Sequence, residues 1–121
     1  MDPLRILVVE DDALIGMLLA DMLDDMGHTV CAVVRTQAEA VAAAERDKPH
    51  MLIVDAWLHE GSGVNAVDQI QSRGIVPHIF VTGDTRGVLA VKPNAIILEK
   101  PFTEALLAAA IDRAHAASKT S

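Results

Sequence analysis

Short apolar runs, each ended abruptly by a polar residue, constrain this chain more than anything else in it. Glu10 and Asp11 follow Ile6 to Val9, Asp55 follows Met51 to Val54, Thr82 follows Ile79 to Val81, and Lys100 with Pro101 follows Ala95 to Leu98. Runs of about four aliphatic residues separated by helical patterns read as buried parallel strands. The carboxyl ends of such strands emerge on one edge of a sheet, outside which an open α/β fold binds its ligand. The polar residues are therefore predicted to converge. Three carboxylates, one hydroxyl and one ammonium at a single edge point to a magnesium ion and a phosphoryl group.

Between the strands the helical signals are regular. Ile15, Leu19, Met22 and Met26 recur at three- and four-residue spacing over Ala13 to Met26, a helix with little polar surface that Gly27 stops. A second strand over Thr29 to Val34 leads to Thr36, which with Glu39 forms the pattern of a capping box. The Ala-rich helix that follows ends before Pro49. Val64, Val67 and Ile70 mark a helix over Val64 to Ser72, broken by Gly74. Thr85 to Val91 has room for barely two turns before Pro93. Thr103 is a plausible cap for the last helix, in which Leu107, Ile111 and Ala114 recur, and Ala117 to Ser121 is expected to fray. Five strands alternating with helices predict a doubly wound parallel α/β sheet with helices on both faces, in one domain covering residues 1–121.

The composition narrows the function classes. Of 121 residues, 51% are apolar, enough for a proper core. Seventeen acidic residues against ten basic ones give a net charge of −7, which argues against nucleic-acid binding through phosphates. The lone Cys31 lies in an apolar stretch and is expected to pack as a small hydrophobe. No signal-peptide pattern opens the chain and no apolar run approaches the ~20 residues of a membrane span, so a cytosolic protein is expected. The five histidines have no metal-ligand spacing and read as surface or strand-end residues.

Over essentially its whole length the chain resembles the receiver domains of two-component response regulators. The matching pieces are Ile6-Leu7-Val8-Val9-Glu10-Asp11-Asp12, Leu52-Ile53-Val54-Asp55 with Gly63 eight residues on, Val81-Thr82-Gly83, and Lys100-Pro101-Phe102. The resemblance implies a flavodoxin-like sheet of order 2-1-3-4-5. It implies that Asp55 accepts a phosphoryl group from a phosphohistidine on a sensor histidine kinase or histidine phosphotransfer protein. Asp11 and Asp55 would ligate Mg2+ directly, Glu10 through water and Trp57 through its backbone carbonyl. Thr82 and Lys100 would hold the phosphoryl oxygens, after a cis Lys100–Pro101 peptide. Charge logic agrees, because a carboxylate attacks an anionic phosphate poorly without a cation, and three facing acids need a counter-charge. Asp12 reads as a helix cap.

The chain departs from the family at named positions. Ile97 stands three residues before Lys100, where receivers usually carry an aromatic residue, and there is no tyrosine anywhere. The interval from Thr82 to Lys100 is short, and Phe80-Val81-Thr82-Gly83 is similar to a receiver subgroup with a reduced fourth helix. Trp57 and Asp84, each two residues beyond Asp55 or Thr82, are expected to tune the phosphoryl lifetime. His59, where the family often has proline, reads as an exposed loop residue. No output domain follows, so a stand-alone receiver that signals to a downstream protein, or relays the group, is expected, with an apolar contact face on the last helix or the fourth-helix region. The alternatives are a vestigial, phosphorylation-independent interaction module and a haloacid-dehalogenase-like phosphatase. The second needs an acid where Trp57 stands. A flavin module is disfavoured, because Glu10-Asp11-Asp12 would repel the cofactor phosphate.

Overall fold

The computed structural model describes residues 2–119. Five parallel strands, β1 (Arg5–Val9), β2 (Thr29–Val34), β3 (Met51–Asp55), β4 (His78–Thr82) and β5 (Ile97–Glu99), form one sheet in the order β2-β1-β3-β4-β5. Helices α1 (Ala13–Asp25), α2 (Gln37–Asp47), α3 (Gly63–Gln71), α4 (Thr85–Val91) and α5 (Glu104–Lys119) alternate with them. This is the doubly wound sheet that the strand pattern predicts, in the flavodoxin-like order that the family resemblance implies.

Strand pleating divides the core in two. Successive side chains of a strand point to opposite faces. Ile6 and Val8 therefore join Ile53, Val81, Leu19, Leu23, Leu107 and Ile111 under α1 and α5. Leu7 and Val9 join Val54, Phe80, Ala40, Ala43, Val67, Ile70 and Val88 under α2, α3 and α4. Each fully buried aliphatic side chain contributes about 1.5–3 kcal/mol of transfer free energy. Both faces of β3 are covered, which is why Met51 to Val54 is an unbroken apolar run. Cys31 packs half-buried against the second cluster, as a small hydrophobe does.

Side-chain caps fix the helix starts. Asp12 accepts from the N–H groups of Leu14 and Ile15, and Thr36 from that of Glu39. The return arm of the capping box reaches one residue further back than expected, since Glu39 accepts from Arg35 N–H and not from that of Thr36. Ser62, unrecognised in the sequence, caps α3 and starts it at Gly63. Thr103 accepts from Leu106 N–H. Strand β5 begins at Ile97 and not at Ala95, because Ala95 N–H is used in a turn to Lys92 carbonyl. The tail expected to fray, from Ala117 to Ser121, is helical in its described part. Helix α5 continues to Lys119 through alanines of high helix propensity, while Thr120 and Ser121 lie outside the described residues. Among the described residues no helix is long and apolar enough to cross a membrane.

Two histidines extend the ladder at the start of β1. Leu4 N–H donates to His28 Nδ1 at 3.1 Å and Arg5 N–H to His50 Nδ1 at 2.9 Å, while Thr29 and His50 N–H return bonds to Leu4 and Arg5 carbonyls. His28 sits at a strand end as expected, but it is buried. Burial holds its imidazole below the usual 6.5, against a weaker upward pull from Asp112. The folded state thus prefers neutral His28, and the unfolded chain takes up the proton first. Stability from this group is fully present above about pH 6.5 and is lost as the pH falls through the lower folded value. His28→Asn keeps an acceptor for Leu4 N–H without titrating. Its melting temperature is expected to fall less than that of the wild type between pH 7.5 and 5.5, and parallel curves would exclude His28 as a source of acid sensitivity.

Candidate functional site

Ladder register brings the polar strand ends together. Val9 pairs with Val54, Asp55 with Val81 and Thr82 with Glu99, so the residues that follow β1, β3, β4 and β5 share one edge. Backbone bonds from Ala56 N–H to Val81 carbonyl and from Lys100 N–H to Thr82 carbonyl continue the ladder into the site. The Lys100–Pro101 peptide is cis.

The carboxylates of Glu10, Asp11 and Asp55 each offer an oxygen within 4.8 Å of the others. Glu10 is 1% exposed, and its Oε2 accepts from Asp12 N–H. Its Oε1 lies 3.1 Å from Lys100 Nζ, but off the direction a hydrogen bond requires, so that this buried oxygen has no hydrogen-bond partner. Asp55, also buried, accepts from Trp57 N–H at 3.1 Å through Oδ1 and from Lys100 Nζ at 3.3 Å through Oδ2. Asp11 is the most open of the three. Its Oδ2 accepts from His59 N–H at 2.8 Å, and its carbonyl accepts from the Arg35 guanidinium at 3.0 Å.

Electrostatics follow from this crowding. Burial pushes the Glu10 carboxyl up to about 7, helped by the contact with Asp55 and opposed by Lys100. For Asp11 burial also acts upward, yet the His59 N–H and the Glu10 contact outweigh it and hold the group below the usual carboxylate range. For Lys100 burial acts downward, but Glu10 and Asp55 overcome it and raise the ammonium, which stays charged. An all-oxygen anionic set, in which one buried oxygen has an ion-pair contact but no hydrogen bond, fits a hard divalent cation.

Thr82 is buried, and its Oγ1 accepts from Asp84 N–H at 2.9 Å, leaving its own proton to donate. The Asp84 carboxylate caps α4 by accepting from Gly87 N–H, so of the two proposed tuning groups it is the one already engaged elsewhere. Trp57 is 45% exposed beside Asp55. Gly63 is required sterically, since a Cβ there would collide with the Asp55 carbonyl and come within 2.7 Å of Val54 Cγ1. Arg35 was legible by the same strand-end logic, because it directly follows β2. The His59 contact carries no signal in sequence spacing.

A model of the response regulator receiver domain matches residues 6–112. The chain is a response regulator receiver domain. This receiver is 37% identical over 114 residues to the Phyllosphere-induced regulator PhyR of Methylorubrum extorquens, covering 91% of the chain and 43% of that protein. It is 34% identical over 116 residues to the Transcriptional regulatory protein PdtaR of Mycobacterium tuberculosis, covering 93% and 57%. The chain thus spans less than two thirds of each of these two relatives. The solution structure of the Erythrobacter litoralis PhyR receiver domain superposes with a TM-score of 0.86 at 30% identity, covering 94% of this receiver and 91% of that domain.

Large apolar side chains are exposed on α4 and α5, where the sequence places a contact face, and also on α1. Leu14, Met17 and Leu18 expose 78%, 63% and 45% of their area on α1, whereas α5 contributes Leu106 and α4 contributes Leu89 and Val91. Leu18 and Ile15 line a groove with Lys100, Pro101 and Phe102, next to the site itself. The α1 sequence buries Leu19 and Leu23 towards the sheet with Ile15 and Met22 packed at the margin, which leaves Leu14, Met17 and Leu18 outward.

Proposed function

We propose that this receiver accepts a phosphoryl group on Asp55 from a phosphohistidine of a sensor histidine kinase or histidine phosphotransfer protein. The observation that carries the reading is Lys100 Nζ set between Asp55 and Glu10, at 3.3 and 3.1 Å, beside three converging carboxylates. Asp55 supplies the nucleophilic oxygen. A P–O bond forms as the P–N bond of the donor breaks, and the donor imidazole leaves with the electron pair. Glu10, Asp11 and Asp55, with the Trp57 carbonyl, would hold Mg2+, which when bound neutralises repulsion between the two reacting anions. Lys100 and the Thr82 hydroxyl take the phosphoryl oxygens, and catalysis is positioning plus charge stabilisation. The group then signals to a downstream protein or passes along a relay in the cytoplasm; the chain turns over no external substrate. The apolar α1 surface beside Lys100 suits an approaching protein donor.

Intact mass after incubation with acetyl phosphate and Mg2+ tests the reading. One added phosphoryl group, stable to acid, labile to base and absent with EDTA, is expected. No gain together with no Mg2+ binding would leave a phosphorylation-independent interaction module. We assign to the half-exposed Trp57, whose backbone N–H bonds Asp55, the role of shielding the phosphoryl group from water. Trp57→Ala is expected to shorten its half-life about fivefold, equivalent to about 1 kcal/mol of barrier, and an unchanged half-life would remove that role.

A further inference from the structure

His59 gives this site a donor that its three carboxylates lack. The ring is 93% exposed and has no polar contact among the described residues except with Asp11, whose Oδ2 lies 3.5 Å from Nε2. Its backbone N–H donates to the same oxygen at 2.8 Å, which anchors the loop after β3 to the acid after β1. Two ligand atoms each about 2.0–2.1 Å from a shared tetrahedral ion lie about 3.4 Å apart. The imidazole nitrogen, 3.5 Å from Asp11 Oδ2, is therefore within a side-chain rotation of serving as a second donor to an ion bound by Asp11. Close by, Glu10 Oε1 is buried without a hydrogen bond and Asp55 completes the carboxylate group.

We propose that His59 adds an imidazole ligand to Glu10, Asp11 and Asp55, so that the site also takes a borderline divalent cation, Zn2+, in preference to what carboxylates alone would select. The proposal rests on the reading that these three acids hold a divalent cation. Imidazole nitrogen is a good donor to zinc, whereas magnesium favours oxygen and keeps its waters, so the added ligand shifts selectivity more than general affinity. Rotation of an exposed side chain is the only movement required, because its backbone is already tethered. Two other imidazoles are committed, since His28 and His50 spend their Nδ1 atoms on backbone N–H groups at the opposite end of β1.

Calorimetric titration of the full chain with Zn2+ and separately with Mg2+, in the wild type and in His59→Ala, tests this. The alanine variant keeps the backbone N–H on Asp11. It is expected to lose about tenfold or more in Zn2+ affinity relative to Mg2+ affinity. Excess Mg2+ should displace Zn2+ from the wild type, placing both ions in one site. Equal Zn2+ to Mg2+ preference in the two proteins, or an apparent Zn2+ affinity that added Mg2+ leaves unchanged, overturns the role of His59 while leaving the Mg2+ reading intact. Failure of both proteins to bind Mg2+ overturns that reading, and the inference with it.

Discussion

Asp55→Asn is expected to take up no phosphoryl group from acetyl phosphate under conditions that charge the wild type fully. The carboxamide has the shape of the carboxylate and keeps an oxygen for Trp57 N–H, which Asp55 Oδ1 now accepts. What it loses is the charge and the nucleophilic oxygen. The neighbour of Oδ2 is Lys100 Nζ, so an amide NH2 turned that way would face an ammonium, and the oxygen is free to occupy only one of the two positions. The substitution also removes one of three acids that repel one another, so the fold is expected to keep or slightly gain stability. Mg2+ affinity should drop, since the donor set falls to two carboxylates. Intact mass, melting temperature and a Mg2+ titration on the same preparation separate these effects. Uptake by a well-folded Asp55→Asn protein would move the acceptor to another carboxylate of the cluster and sink the assignment.

Gly63→Ala is expected to be the most damaging single methyl group that can be added near the site. The new Cβ would overlap the Asp55 carbonyl and press on the Val54 side chain, both of which belong to a strand buried on both faces. Neither neighbour is the loose end of a flexible chain, so relief requires moving β3 or the start of α3. Overpacking of this kind costs about 3 kcal/mol, which for a domain of this size lowers the melting temperature by about 10 °C. The displaced carbonyl belongs to the acceptor residue itself, so phosphoryl uptake should slow as well. Gly83→Ala is the matched control, because nothing lies within 4 Å of the position its Cβ would take and its backbone is ordinary. Equal melting temperatures for the two variants would show that the contact at Gly63 yields without cost.

Much of this was legible because the signals are redundant. Four apolar runs ended by Glu10, Asp55, Thr82 and Glu99, the last just before Lys100, fix a sheet edge whatever the helices do, and the register then adds only the pairings. The short α4 could be read from the position of Pro93. What escaped reading depends on contacts across the fold. Ser62 looks like any loop serine until Gly63 is forced against Asp55 and a helix must start there. The outward apolar face of α1 is hidden by its composition, because a helix with little polar residue has no obvious outer side until the sheet selects Leu19 and Leu23. His59 meets Asp11 only because two loops approach, across 48 residues of chain.

The counter-ion of the pocket is the last of its groups to be synthesised. Lys100 reaches Asp55 across 45 residues and Glu10 across twice that span, and it follows the edge strand β5. A chain still emerging from the ribosome can assemble β1, β3 and β4 around their acids, but until β5 adds to the sheet Glu10 and Asp55 face one another without the ammonium that lies 3.1 and 3.3 Å from them. Contacts so distant in sequence form late because loop closure precedes their gain. Phosphoryl uptake as proposed would therefore begin only once β5 has joined the sheet, and a chain stopped short of Lys100 would not draw the group away from longer ones.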